Sequence, residues 1–159
     1  MALEPGNTLA AFLRRNPGFH IPKDRGPVIL VGAGTGLGPL AGFIRANAGR
    51  RPIHLHFGMR DPGSDFLYRE ELDAWLSDGR LASLTTGHSR GARPRYVQDA
   101  IALHQPEVIR AMREGARIMV CGGRDMAAGV AEAMSGILEP LGMSTAKLKV
   151  EGRYVEDVY

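Results

Sequence analysis

The stretch VGAGTGLGP, residues 31–39, carries four glycines in nine positions directly behind the apolar run Pro27-Val28-Ile29-Leu30. Glycine inside regular structure costs roughly 0.5–1 kcal/mol relative to alanine. Such a density therefore demands a close approach or a backbone conformation that side chains forbid. A buried strand turning sharply into a helix meets the demand. The same turn presents free N–H groups and the positive end of a helix dipole, which together attract a phosphate. Gly32, Gly34 and Gly36 are then the bare positions, and Thr35 adds a hydroxyl donor. No Gly-Lys-Ser/Thr follows, so a P-loop is excluded. A strand before the loop and a helix after it is the context of a dinucleotide fingerprint.

The rest of the chain repeats that rhythm. Residues 27–32 predict the first strand, bounded by Gly26-Pro27 and the glycine loop, and residues 37–47 a helix with Leu40, Phe43 and Ile44 on one face. A second strand is expected at 53–59, then a helix over 65–77, capped by Ser64 and ended by Gly79. A third strand at 81–85, helices at 96–103 and 106–114, a buried strand at 117–121, a long helix at 124–141 and a last strand at 146–150 complete the pattern. Strands alternating with helices predict an α/β fold, a three-layer doubly wound parallel sheet of order 3-2-1-4-5. Residues 1–25 fall outside the rhythm. Residues 8–14 read as a strand that Asn16-Pro17-Gly18 breaks.

The 159 residues suffice for one domain, and an apolar fraction of 44% supports a packed core. No apolar run reaches the roughly 18 residues of a membrane span, and the first residues lack the basic-then-apolar order of a signal peptide. The single cysteine excludes an internal disulfide and a Cys-cluster metal site, and points to a reducing, cytoplasmic setting. The net charge of +3 is too small and too scattered to argue for nucleic acid. Of the 20 basic residues all but three are arginines, the side chain suited to two-pronged phosphate contacts.

Several of those arginines cluster in His88-Ser89-Arg90-Gly91-Ala92-Arg93-Pro94-Arg95-Tyr96, just beyond the third strand. Charge-assisted donors beside a flat ring suit a phosphate next to a purine. In dinucleotide folds an acidic residue after the second strand selects a free ribose hydroxyl, whereas arginine selects a 2′-phosphate. Here that strand ends Phe57-Gly58-Met59-Arg60, which biases the site toward NADP over NAD. Cys121 ends the fourth strand, and in the expected order it lies across from the glycine loop, with Gly122 and Gly123 leaving room for a ligand. No base partner marks it as a nucleophile. His54 and His56 share a strand face but have no evident third ligand, so no metal site is expected. The scattered methionines read as core filler.

Taken together, these pieces resemble the NADP(H)-binding domain of the ferredoxin–NADP reductase superfamily, in the diflavin reductase branch typified by the sulfite reductase flavoprotein subunit. The resemblance covers residues 19–159. Its marks, in order, are Phe19-His20-Ile21-Pro22, PVILVGAGTGLGP, HFGMRDPGSDFLYREEL, SRGARPRYVQ, VCGG and the terminal GRYVEDVY. It implies that Gly32, Gly34, Thr35 and Gly36 hold the pyrophosphate, that Ser89 and Arg90 grip the 2′-phosphate, and that Tyr96 lies by the adenosine. It further implies that Arg60 and Gln98 line the adenine side, and that Cys121 and Asp157 attend the nicotinamide. Tyr159 resembles a terminal aromatic that stacks on a flavin ring and moves aside for nicotinamide.

There are departures. Pro94 stands where the family has lysine, so Arg93 or Arg95 is expected to substitute, and the loop after Cys121 is one residue short. The upstream flavin motifs do not occur, so residues 1–25 are expected to be the tail of an FAD-binding barrel and a linker, with 26–159 the NADP(H) domain. The implied function is to position NADPH for hydride transfer to FAD supplied by an upstream domain, in a parent that is cytoplasmic or tethered with this domain on the cytoplasmic side. A non-catalytic nucleotide-binding or interaction module using the same crevice is the alternative.

Overall fold

A computed structural model describes residues 4–11, 16–90 and 93–159. Five strands form one sheet in the order β3-β2-β1-β4-β5, every pair parallel. The strands are β1 (Val28–Ala33), β2 (Ile53–Met59), β3 (Ser83–His88), β4 (Arg117–Gly122) and β5 (Tyr154–Val158). The helices are α1 (Leu37–Arg45), α2 (Arg69–Asp78), α3 (Val97–Leu103), α4 (Gln105–Arg113), α5 (Arg124–Leu138) and α6 (Thr145–Val150). This is the doubly wound architecture the alternation predicts.

Side-chain alternation builds the three layers. Along β1, Val28 and Leu30 pack with α1, α2 and Phe19 on one face, while Ile29 and Val31 pack with α3, α4, α5 and α6 on the other. A parallel sheet covered on both faces needs such unbroken apolar strands. Phe19 belongs to the first of these clusters, its ring centroid 5.7 Å from that of Phe43. Farther along the same segment, the Arg51 guanidinium donates to the carbonyls of Pro22 and Gly26 and pairs with Asp24. No described helix is long and apolar enough to cross a membrane.

Four local expectations change. The last strand is β5, and residues 146–150 are helical: Ser144 caps α6 by accepting from the Lys147 N–H at 3.2 Å, and Leu148 is the buried residue of that turn. The third strand is displaced toward its carboxyl end, because its register with β2 runs from His54↔Ser83 to Met59↔His88. Helix α2 begins at Arg69 rather than at 65. Asp61 accepts from the Gly63 N–H at 2.8 Å and holds residues 61–65 in a turn, and Tyr68 enters α2 in the left-handed region with φ 55°. Ser64 therefore caps nothing. Residues 8–11 form no strand, and 12–14, the rest of that expected strand, lie outside the described residues.

Candidate functional site

The carboxyl ends of the strands form a crevice, the usual ligand position of an open α/β sheet. Strand β1 ends there in the glycine loop, whose residues Gly34–Gly36 make one 3-10 turn before α1. Gly32 pairs with Cys121 across β1 and β4. A Cβ at Gly36 would collide with the Cys121 carbonyl, so only glycine lets this loop lie directly against β4. On the far side, Gly87 plays the same part: a Cβ there would meet the Tyr96 carbonyl at 2.8 Å. The close approach lets residue 95 fold back on β3, where the Arg95 N–H donates to the His88 carbonyl at 2.7 Å.

Between these two loops lies a cavity of about 880 Å³. Gly34 and Thr35 line one part, Arg60, Ser89 and Tyr96 another, with Gln98 and Tyr159 also on the wall. The glycine loop and the segment beyond β3 thus open onto one space. Gly32, Gly36, Cys121, Gly122 and Asp157 lie outside its lining, as do Arg90, Arg93 and Arg95, which are exposed. Gly91 and Ala92 lie outside the described residues. Gln98 packs so tightly on α5 that a Cβ at Gly129 would meet its Nε2 at 2.9 Å.

The chemistry of the remaining residues follows from where they sit. Cys121 is buried in the α1-face core. Burial first, and then the Asp157 carboxylate, push its thiol up to about 11, so it stays protonated near neutral pH. This suits a compact packing group and not a thiolate nucleophile. Asp157 lies opposite Cys121 in the β4–β5 register. Tyr159 closes the chain over the crevice: its N–H donates to the Gly122 carbonyl at 3.2 Å, and its hydroxyl lies 2.7 Å from Thr35 Oγ1. The partner of the terminal ring is thus the hydroxyl of the glycine loop itself. His54 and His56 face α4, away from the crevice, and no described cluster of His, Cys, Asp or Glu is arranged to hold a metal ion.

Sequence reasoning missed Ser64, Asp65 and Leu67 of the β2–α2 connection and Asp125 and Met126 at the start of α5, all of which line the cavity. The signal was available in their position, since both segments follow the carboxyl ends of strands next to β1.

A family model described as the oxidoreductase NAD-binding domain matches residues 30–132. The chain is 35% identical to methionine synthase reductase of Mus musculus over 188 residues, which cover 98% of this chain and 27% of the relative. It is 33% identical to the sulfite reductase [NADPH] flavoprotein alpha-component of Bacillus subtilis, covering 99% of this chain and 28% of the relative. With the NADPH–cytochrome P450 reductase of Dictyostelium discoideum it shares 31% identity, again over 99% of this chain and 26% of the relative. The chain spans little more than a quarter of the length of the curated relatives it matches. They are the branch that the motifs resemble. A parallel sheet of order 3-2-1-4-5, a glycine turn laid against β4 and a matching family model lead to one conclusion: this chain belongs to the oxidoreductase NAD-binding domain family.

Proposed function

We propose that this chain is the NADP(H)-binding part of a flavoprotein reductase. One observation carries the reading: the glycine loop and the Ser89 side line a single cavity, so that Gly34 and Thr35 share one space with Arg60 and Ser89. Bare backbone at Gly36 lets the loop lie directly on β4, while nothing crowds Gly34, which lines the cavity and leaves its backbone open to a pyrophosphate. When bound, NADPH supplies a hydride to FAD held by an upstream domain of the same parent protein.

The chain's own residues bind and orient. Gly32, Gly34, Thr35 and Gly36 hold the pyrophosphate. Ser89 and Arg90 take the 2′-phosphate, assisted by Arg93 or Arg95. Tyr96 covers the adenosine, with Arg60 and Gln98 at the adenine side. Cys121, kept as a neutral thiol beside Gly122, would back the nicotinamide end of the site from beneath the cavity lining, and the Asp157 carboxylate, opposite it in the β4–β5 register, would favour the positively charged oxidised ring. Tyr159 shields the flavin-facing side until the coenzyme displaces it. Residues 1–25 would be the end of the FAD-binding barrel and its linker, and the parent works in the cytoplasm or tethered facing it. The reductase names of the relatives favour this over a non-catalytic binding module.

Calorimetric titration of the purified chain with NADPH and NADH tests the reading. NADPH should bind more tightly, and Arg90→Ala should remove about 1.5–3 kcal/mol of that preference, the worth of a charged hydrogen bond. Equal affinities, or no binding, refute the coenzyme assignment; an unchanged preference in Arg90→Ala refutes the role of Arg90.

A further inference from the structure

Asn16 and Asp157 are 141 positions apart, yet the Asn16 side-chain amide donates to Asp157 Oδ1 at 3.0 Å. The contact is built on both sides. The Asn16 carbonyl accepts from the Phe19 N–H at 3.1 Å, closing a short turn. Phe19 anchors that turn in the core of the α1 face. On the other side, Val155 packs on the same face, and Asp157, two residues on along β5, projects with it. The segment leading into β1 therefore holds one oxygen of the carboxylate that pairs in register with Cys121.

The donor's identity matters. Among the described residues no lysine or arginine pairs with Asp157. An amide orients a carboxylate without neutralising it, and among the described residues no hydrogen bond reaches the second oxygen. A guanidinium in the same place would fix the geometry and cancel the field.

We propose that Asn16 is a positioning residue: it fixes the Asp157 carboxylate at the carboxyl edge of β5, so that the segment entering the domain sets how that charge meets the nicotinamide ring. The inference rests on the reading of Asp157 given above and adds to it a residue outside every motif. It also makes the entering segment part of the site rather than a passive connection.

The test is a double-mutant cycle read by calorimetry at pH 7, on the wild-type chain, Asn16→Ala, Asp157→Asn and the double variant. The ligands are NADP⁺, NADPH and 2′-phospho-ADP-ribose, which lacks the nicotinamide. A carboxylate beside the ring favours the charged NADP⁺ over NADPH. Asp157→Asn should lower the NADP⁺/NADPH affinity ratio by about threefold, as expected for a partly exposed charge pair. Asn16→Ala should lower the same ratio by roughly twofold, and the double variant should be no worse than Asp157→Asn. Affinity for the nicotinamide-free ligand should stay unchanged in Asn16→Ala, a result that general loosening of the fold would not give. Additive effects, an unshifted ratio in Asn16→Ala, or weakened binding of 2′-phospho-ADP-ribose overturn the positioning role alone. If the wild-type chain binds none of the three ligands, the coenzyme reading fails and this proposal fails with it.

Discussion

Lowering the pH should destabilise this domain chiefly through His56. It lies on β2 facing α4 and is 4% exposed, and its Nδ1 has no hydrogen-bond partner. Its surroundings are His54, with Nδ1 2.8 Å from Ser83 Oγ, His104 at the end of α3, and Glu107 on α4. Arg110 and Glu114 act on His54 from the same side. Burial first, then His104 and His54, lower the His56 pKa from 6.5 to about 4. The sign follows directly. Below 6.5 the unfolded chain protonates this ring, while the folded chain resists until about pH 4. Stability is therefore complete above 6.5 and falls as the pH drops through that window. The separation of the two pKa values amounts to about 3 kcal/mol once both states are protonated, and to about 2 kcal/mol at pH 5. His54, also lowered by burial, acts in the same direction. Urea unfolding at pH 7 and pH 5 measures the effect, with His56→Gln as the non-titrating reference. Groups that do not interact with His56 cancel in the comparison, so the wild type should lose about 2 kcal/mol more than the variant. An equal pH dependence in both proteins would refute the reasoning.

Three further outcomes follow from the same structure. Gly36→Ala forces a methyl group into the Cys121 carbonyl; it should cost about 1–3 kcal/mol of stability in urea unfolding and weaken coenzyme binding, whereas unchanged affinity would contradict the role of the glycine turn. Tyr159→Phe keeps the ring but frees the Thr35 hydroxyl, so NADPH affinity should rise about twofold to tenfold by calorimetry, and no change would mean that the two hydroxyls do not compete with the ligand. Tyr154 buries a hydroxyl with no partner, and burial followed by the Glu156 charge pushes its pKa up. Tyr154→Phe should therefore leave thermal stability unchanged or raise it by about 1 kcal/mol, and a clear loss would show that the hydroxyl is satisfied in solution.

How much of this was legible in the chain depends on how local the cause is. β1 and β2 are continuous or alternating apolar runs next to glycine and proline boundaries, and their place in the sheet follows from burial on both faces. The segment Ala146-Lys147-Leu148-Lys149-Val150 alternates like a strand, yet Ser144 and one buried leucine make it a helical turn, leaving Val150 90% exposed. Six residues are too few for periodicity to separate the two. The start of α2 was hidden by the Asp61 turn, in which the Asp61 carboxylate accepts from the Gly63 N–H and its carbonyl from the Ser64 and Asp65 N–H groups, so that no helix begins at 65. The same division runs through the site. Gly34, Thr35, Ser89 and Tyr96 stand in spaced motifs at strand ends, so their convergence on one cavity follows from the sheet order. Asp125 and Leu67 reach that cavity only because distant loops meet over it, and Asn16 reaches Asp157 because Phe19 is buried. Those are tertiary causes: position after a strand end marks the segments of Leu67 and Asp125, but which of their residues meet the cavity, and that Asn16 meets Asp157, has no trace in local spacing.

The central claim is that the glycine loop and the Ser89 side take the two phosphate-bearing ends of one coenzyme. Backbone amide shifts, followed by NMR while NADP⁺ or NAD⁺ is added, address it most directly. NADP⁺ should move the amides of residues 34–36 and of Ser89 and Arg90 together, with one common affinity, while NAD⁺ should move the first group and leave the second nearly still. Movement of only one group with NADP⁺, or an identical pattern for both ligands, would contradict the account.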